Sequence, residues 1–324
     1  MTSLRDCQKI DLLSSVKPPP TLTVSCFPSS LPKHINPPRS PLFLSFPSYT
    51  PITSKVTSIN GLSFSQEKAK IKGSKIVTIE QKKVDSFDAI EVLDDVEISL
   101  IKGDKNGVEL EADDNLQNAI GLKMNGNTLI VYMDKVISIF KKFSVRVTYT
   151  DSFKSVVAKD NSKINVLEEM KLNEISFKCL NEAKMYLNLN SKNVTIIADD
   201  KSHIETNSKS ETASIILSKN SDLKALISAT ELKLDLYQKA KAVVEGDVID
   251  MKLRLDNNTN FNGKKITAKN MALIAEGNSY CTVLVQKTMS IEASGTTEIQ
   301  LFGEPKIDLK KFIDSAILYK KSIK

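Results

Sequence analysis

Ser162-Lys163-Ile164, Ala183-Lys184-Met185, Ser202-His203-Ile204, Ser221-Asp222-Leu223, Ala240-Lys241-Ala242, Thr259-Asn260-Phe261, Ser279-Tyr280-Cys281, Thr297-Glu298-Ile299 and Ser315-Ala316-Ile317 are nine copies of one pattern. Each is a small residue, then any residue, then an apolar one. The copies recur about every 19 residues from Lys159 to Leu318, a fixed spacing that signals a solenoid. Each continues with period-2 alternation: Val166 follows Ile164, Leu187 follows Met185 and Leu301 follows Ile299. Alternation at two residues sends one set of side chains to one face of a strand. In the fourth copy Ser221, Leu223 and Ala225 point inward, while Asp222 and Lys224 face water. The small first residue suits a tight corner, where a large side chain would collide with the next coil.

Further short β-type segments run between the copies: Val194-Ile197, Ser214-Leu217, Leu232-Leu236, Lys252-Leu255 and Ala272-Ala275. Turn residues separate them, at Asp199-Asp200, Asn257-Asn258 and Gly277-Asn278. Helices fit worse, because these segments are shorter than ordinary helices and Thr, Val, Ile and Asn favour strands and turns. One coil buries only a few apolar side chains, each worth about 1.5–3 kcal/mol. Ordering its backbone costs about 1–2 kcal/mol per residue. A coil therefore needs stacked neighbours that share its core and its ladder hydrogen bonds. The sequence predicts an all-β chain forming a right-handed, β-helix-like solenoid of nine or more short turns.

The prolines divide the chain. Ten of the eleven lie between Pro18 and Pro51, and residues 1–65 contain no Glu. Residues 1–65 read as a disordered or processed Pro/Ser-rich leader, residues 66–150 as an N-terminal β region that begins or caps the solenoid, and residues 151–324 as the repeat array. The leader carries six Lys/Arg against two Asp, which leaves 39 basic and 37 acidic residues in the remainder. A near-neutral array with interspersed signs argues against nucleic acid, which needs a dense basic patch. No run of about 18 apolar residues is present, so no transmembrane helix is expected. Ser63-Phe64-Ser65 has the spacing that a signal peptidase prefers, but no apolar region precedes it. Thr23-Val24-Ser25-Cys26 is similar to a lipoprotein attachment site, but Pro18-Pro20 occupy the place of its apolar region. No signal peptide is clearly visible. Cys7 and Cys26 lie in the leader, Cys281 takes an inward position and Cys179 precedes a turn. Without a Cys-x-x-Cys pair, neither a zinc site nor a redox pair is expected.

Ahead of the array, Lys75-Val84, Phe87-Val92, Val96-Leu100, Val108-Ala112, Leu122-Met124, Thr128-Met133 and Ser144-Tyr149 read as strands. Asn106-Gly107 reads as a hairpin turn, and Asp113-Asp114-Asn115 as the cap of a short helical turn at Leu116-Ile120. Asn125-Gly126-Asn127 reads as a turn and Val136-Phe143 as a loop.

Phe87-Asp88-Ala89-Ile90-Glu91-Val92, Val96-Glu97-Ile98-Ser99-Leu100-Ile101-Lys102-Gly103, Val108-Glu109-Leu110-Glu111-Ala112-Asp113-Asp114-Asn115-Leu116 and Gly126-Asn127-Thr128-Leu129-Ile130 resemble the opening of DUF2807, the "putative auto-transporter adhesin, head GIN domain" family. Ser294-Gly295-Thr296-Thr297-Glu298-Ile299 is similar to that family's Ser-Gly turns. The resemblance covers residues 75–320. It implies a β-helix-like fold, found mostly in exported proteins of the periplasm, outer membrane or cell surface, and no established activity. Where the family carries Ser-Gly, this chain has Asp160-Asn161, Lys219-Asn220 or Asn257-Asn258, and Gly stands only at Gly277 and Gly295. Asn and Asp also adopt the left-handed conformation, so the turn is expected to survive.

Catalytic, cofactor-binding and metal residues are not expected. His203 could in principle join Ser202 or Asp200 in a nucleophilic triad, but adjacent strand residues point apart, so it reads as an exposed turn histidine. The carboxylate pairs Asp94-Asp95, Asp113-Asp114, Glu168-Glu169 and Asp199-Asp200 could serve hydrolysis or calcium. A β-helix hydrolase would stack acids on one face, whereas the corresponding column here is Asp160, Asn181, Asp200, Lys219, Gln238 and Asn257, broken at Lys219. That polar ladder is the candidate glycan- or partner-binding row, set against plain soluble corners. The function expected is a non-enzymatic exported interaction module whose partner is a cell-surface glycan or protein. The alternatives are a polymer resembling bactofilins and a carbohydrate-active β-helix enzyme. Lys310-Lys311 and Lys320-Lys321 read as a charged cap on the last edge, against the polymer.

Overall fold

The computed structural model describes residues 68–322. The expected leader 1–65, with Cys7, Cys26 and His34, lies outside them. The chain is a β-solenoid of about nine turns. Strands Lys184–Ala198, His203–Leu217, Asp222–Tyr237, Lys241–Asp256, Asn260–Ala275 and Tyr280–Ala293 stack in parallel. Partners sit one repeat apart: Met185 pairs with Ile204, Ile204 with Leu223 and Leu223 with Ala242. Because the repeat is in register, like positions form rows. Ile164, Met185, Ile204, Leu223, Ala242, Phe261, Cys281 and Ile299 are all buried in the core, whereas Lys224 is exposed. Cys179 and Cys281 are both buried with free thiols, and burial pushes each thiol up to about 12.

Two sequence-based expectations about segment length change. The segments Val194-Ile197 and Ser214-Leu217 are not separate strands, but the second halves of continuous strands of 15 residues. The alternation of buried and exposed residues skips a step midway, at Lys192-Asn193 and Glu211-Thr212, while the pairing with the neighbouring coil keeps the same register on both sides. Each coil thus has two sides. Face A carries the first half, such as His203 to Lys209, and face B the second, such as Thr212 to Leu217.

The corner between one coil and the next is a tight turn. The amides of Ser162, Ser221 and Ala240 donate to the carbonyls of Lys159, Ser218 and Tyr237 at 3.1–3.2 Å. The small residue closes this turn and faces the core: Ser162, Ala183, Ser202, Ser221 and Ala240 are fully buried.

The N-terminal strands stack onto the same column. Ala89–Val92 and Glu97–Lys102 pair in parallel with Ser155–Ala158 and Lys163–Val166. Beyond them the sheet turns antiparallel, through Ile120–Asn125, Gly107–Asp113 and Val77–Lys82. The Asn125-Gly126-Asn127 turn forms as expected, with Gly126 at φ +57° and Asn125 paired with Thr128. Asn106-Gly107 does not make a hairpin. Phe143–Tyr149 lies between the two candidate arms, parallel to Glu97–Lys102 and antiparallel to Gly107–Asp113. The expected loop at Val136-Phe143 contains a strand, Val136–Ser138, parallel to Lys70–Lys72. At the other end, Lys306–Phe312 and Ile317–Lys320 form the last coil. A register shift at its pairing with Ile291 and Glu292, together with exposed Lys310 and Lys311, marks that edge, as edge protection requires.

Asp113 does not cap the short turn Asp114–Leu116. Its buried carboxylate instead accepts backbone N–H groups from Lys75 at 2.9 Å, Lys142 at 3.0 Å and Lys141 at 3.2 Å. Burial alone would raise its pKa, but these amides and the Lys141 charge hold it below the usual carboxylate value. A depressed folded-state pKa contributes stability above the unfolded value of about 3.9 and loses it as pH falls through the folded value. Asp113→Asn should therefore speed hydrogen exchange at Lys75, Lys141 and Lys142 at pH 6 by at least about tenfold. Acidifying the parent protein until Asp113 protonates should reproduce part of that loss of protection once the intrinsic pH dependence of exchange is divided out. Unchanged exchange in the variant would remove the clamp.

Candidate functional site

All six residues of the polar ladder occupy the corner, at the same backbone position. Asp160, Asn181, Asp200, Lys219, Gln238 and Asn257 have φ between +51° and +64°. The column extends to Asp94 below and to Gly277, Gly295 and Asp314 above, again with positive φ. Left-handed backbone favours Gly, Asn and Asp, so turn geometry accounts for most residue types in the row. Asn181 Nδ2 donates to Asp160 Oδ1 at 3.0 Å, and the Asp94 amide to Asp160 Oδ2 at 3.3 Å. Lys219 turns to Asp199 at 2.8 Å. Gln238 is the least suited to its conformation. Gln238→Gly should raise stability by about 1 kcal/mol, since a left-handed L-residue costs about 1–2 kcal/mol, and thermal melting measures it. A lower Tm would mean that the side chain itself is needed.

His203 has partners that adjacency in sequence could not reveal. Its Nδ1 lies 3.0 Å from Asp222 Oδ2 and its Nε2 3.0 Å from Glu205 Oε1. Both bonds form when the ring carries two N–H groups. The His203 bond, with help from Lys224 at 3.4 Å, holds the Glu205 carboxyl below its usual value. Ser202 is fully buried on the opposite side of the strand, and Asp200 is not among the ring's partners, so the triad does not assemble. Asp222 stands one repeat beyond His203, so the 19-residue period was the available signal. One acid of each of three other pairs is engaged: Asp94 with Lys68 at 2.7 Å, Asp199 with Lys219, and Glu169 with Lys171 at 3.0 Å. Among the described residues no group of three or more His, Cys, Asp or Glu is arranged to hold a metal ion.

Beside this cluster, face A carries a shallow groove of about 520 Å³. One wall is the row Tyr186, Glu205, Lys224 and Val243, and the other includes Asn207, Leu226 and Glu245. Leu167 closes one end. Leu167 is 74% exposed, Leu226 51% and Val243 40%. The charges on the walls are matched locally, Glu205 with Lys224 and Glu245 with Lys265 at 2.9 Å. The result is a locally neutral, largely apolar strip on face A. Leu167 and Leu226 occupy outward positions of the alternation, a signal available in the sequence.

The "putative auto-transporter adhesin, head GIN domain" family matches residues 86–226 and again residues 196–305. The chain belongs to this family. No curated protein matches it. Its fold resembles the crystal structure of a putative adhesin from Parabacteroides distasonis ATCC 8503, with a TM-score of 0.55 at 13% identity, covering 78% of this chain and 98% of that one. A putative adhesin from Parabacteroides merdae ATCC 43184 has a TM-score of 0.50 at 15% identity, covering 79% and 100%. A putative lipid binding protein from Parabacteroides distasonis ATCC 8503 has a TM-score of 0.50 at 14% identity, covering 79% and 100%. At such identities the likeness is one of fold. Membership of the head GIN family is consistent with an adhesin-type module at the surface or in an exported compartment. No helix among the described residues is long and apolar enough to cross a membrane.

Proposed function

We propose that this head GIN protein is an exported, non-enzymatic interaction module that holds a cell-envelope partner, a glycan or a protein, against face A. The observation that carries the reading is the exposure of Leu167, Leu226 and Val243 around one groove. Apolar side chains gathered on one exposed strip are a mark of an interaction surface. A solenoid suits the task, because rigid coils hold the rows in place without ordering costs on binding. The adhesins among the structural neighbours support the same class of role. The non-enzymatic part is supported by His203, whose ring nitrogens are both taken up by carboxylates. In this reading residues 1–65 are the leader, residues 66–150 begin the solenoid, residues 151–324 present the binding faces, and the corner ladder serves the turns rather than the partner.

The test joins location to binding. Fractionation of the source cells should place the protein in the envelope or the medium. Purified protein should sediment saturably with isolated envelopes, and Leu167→Glu with Leu226→Glu should weaken that about tenfold at unchanged Tm. A cytoplasmic location, or sedimentation equal in the double variant, would end this reading.

A further inference from the structure

Face B carries a second groove, of about 500 Å³, in which two like-charge pairs of opposite sign stand side by side. At many other places neighbouring coils match opposite signs, as at Lys201 with Glu182, Lys219 with Asp199, Lys224 with Glu205 and Lys265 with Glu245, and the like pair Lys163 and Lys184 stands alone without an acidic counterpart of the same kind beside it. Here Glu231 pairs directly with Asp250, and two positions along, Lys233 pairs directly with Lys252. Like charges opposite one another on neighbouring strands destabilise a sheet. Local pairing engages one member of each pair and leaves the other. Lys233 turns to Asp235 at 3.1 Å and Asp250 accepts from Asn270 at 2.9 Å. Glu231 and Lys252 have no ion-pair partner among the described residues. Between the acidic and basic pairs the floor is the backbone of Leu232, Met251 and Met271, whose side chains are buried in the core, with Ala272 beside Lys252.

We infer that this groove binds a zwitterion in which an ammonium and a phosphodiester or phosphate are joined by a short methylene link. The ammonium sits between the carboxylates of Glu231 and Asp250, the phosphate between the ammonium groups of Lys233 and Lys252, and the methylenes lie on the floor. Charge complementarity carries the assignment, since such a ligand neutralises both repelling pairs at once. The two pairs are two residues apart along each strand, about 7 Å at the backbone, which suits an aminoethyl phosphate. A simple anion or cation would relieve one pair and leave the other. The assignment extends the interaction-module reading to a second face and stands on residues that the face A groove does not use.

The test titrates the full chain with O-phosphoethanolamine, with inorganic phosphate alone and with ethanolamine alone, following backbone amide resonances. O-phosphoethanolamine should shift residues 231–233 and 250–252 and bind at least about tenfold tighter than either fragment. Glu231→Gln with Asp250→Asn should reduce its affinity to that of phosphate. Lys233→Gln with Lys252→Gln should reduce it to that of ethanolamine. The acidic double variant should melt no lower than the parent, because it removes a repulsion; the basic one also removes the Lys233–Asp235 pair, so its fold is checked by unchanged amide resonances outside residues 231–235 and 250–254. Co-flotation with phosphatidylethanolamine vesicles, lost in both double variants, would make the source a lipid headgroup. Binding of the soluble compound without flotation would make it an aminoethyl phosphate on a glycan or small molecule. No shift at these residues, or phosphate binding as tightly as O-phosphoethanolamine, would overturn the inference. Neither result would alter the envelope-sedimentation test of face A.

Discussion

Leu223→Asp is expected to lower the melting temperature by about 8–16 °C, and Lys224→Asp by less than about 3 °C. Leu223 is fully buried between Ile204 and Ala242. A carboxylate there would lack both water and a partner, and an unpaired buried charge costs upwards of about 4 kcal/mol. At about 2–4 °C per kcal/mol for a domain of this size, the shift is large. Lys224 is exposed, and its replacement loses one surface pair with Glu205 at 3.4 Å, worth at most about 1 kcal/mol. The two residues are neighbours in sequence, so a melting curve of each variant isolates direction from position. Equal shifts would dismantle the assignment of inner and outer rows.

Gly246→Ala is the second large effect. Gly246 sits inside the strand Lys241–Asp256 at φ +117°, where an added Cβ would lie 2.1 Å from the carbonyl oxygen of Ile227 on the next coil. That oxygen belongs to the ladder, and Ile227 is the direct partner of Gly246. It cannot retreat without breaking the pairing. Strain at a disallowed φ plus the clash should cost about 2–4 kcal/mol. Gly107→Ala is the matched control, because a Cβ there meets nothing within 4 Å and φ is not positive. Denaturant unfolding of both should separate them by at least about 2 kcal/mol.

The rows from Ile164 to Ile299 were legible because burial, alternation and the 19-residue period all depend on the same local pattern; in the ninth copy the assignment slips by one, since Ile317 pairs with outward Glu298 and Leu318, not Ile317, pairs with Ile299. Ser221 at the corner, Leu223 inside and Lys224 outside could be assigned without any contact. The small corner residue was legible for the same reason, since only the turn and the coil above constrain it. What could not be read depended on partners distant in sequence. Asn106-Gly107 has the composition of a hairpin, yet Phe143–Tyr149 takes the pairing edge that a hairpin would have used. Asp113 has the composition of a cap, yet its carboxylate gathers backbone from Lys75 and Lys141. The 15-residue strands were invisible because the mid-coil step in the alternation, as at Lys192-Asn193, interrupts the period-2 pattern without ending the strand. The polar ladder was found as a column, but its shared positive φ is a property of backbone that composition only hints at. The ionic partner of His203 and the like-charge pairs of face B come from the same arithmetic, one repeat up or down, applied to outward residues.

The parallel stack can be tested most directly by a distance. Nitroxide labels at Lys184 and Glu298 stand on the same outer row, linked through His203, Asp222, Lys241, Asn260 and Tyr280. Six steps of about 4.8 Å separate their backbones by about 29 Å. Pulsed electron paramagnetic resonance should give one narrow distribution centred near that value. A broad distribution, or a mean displaced by more than about two coil spacings, would contradict the solenoid on which both proposed binding faces depend.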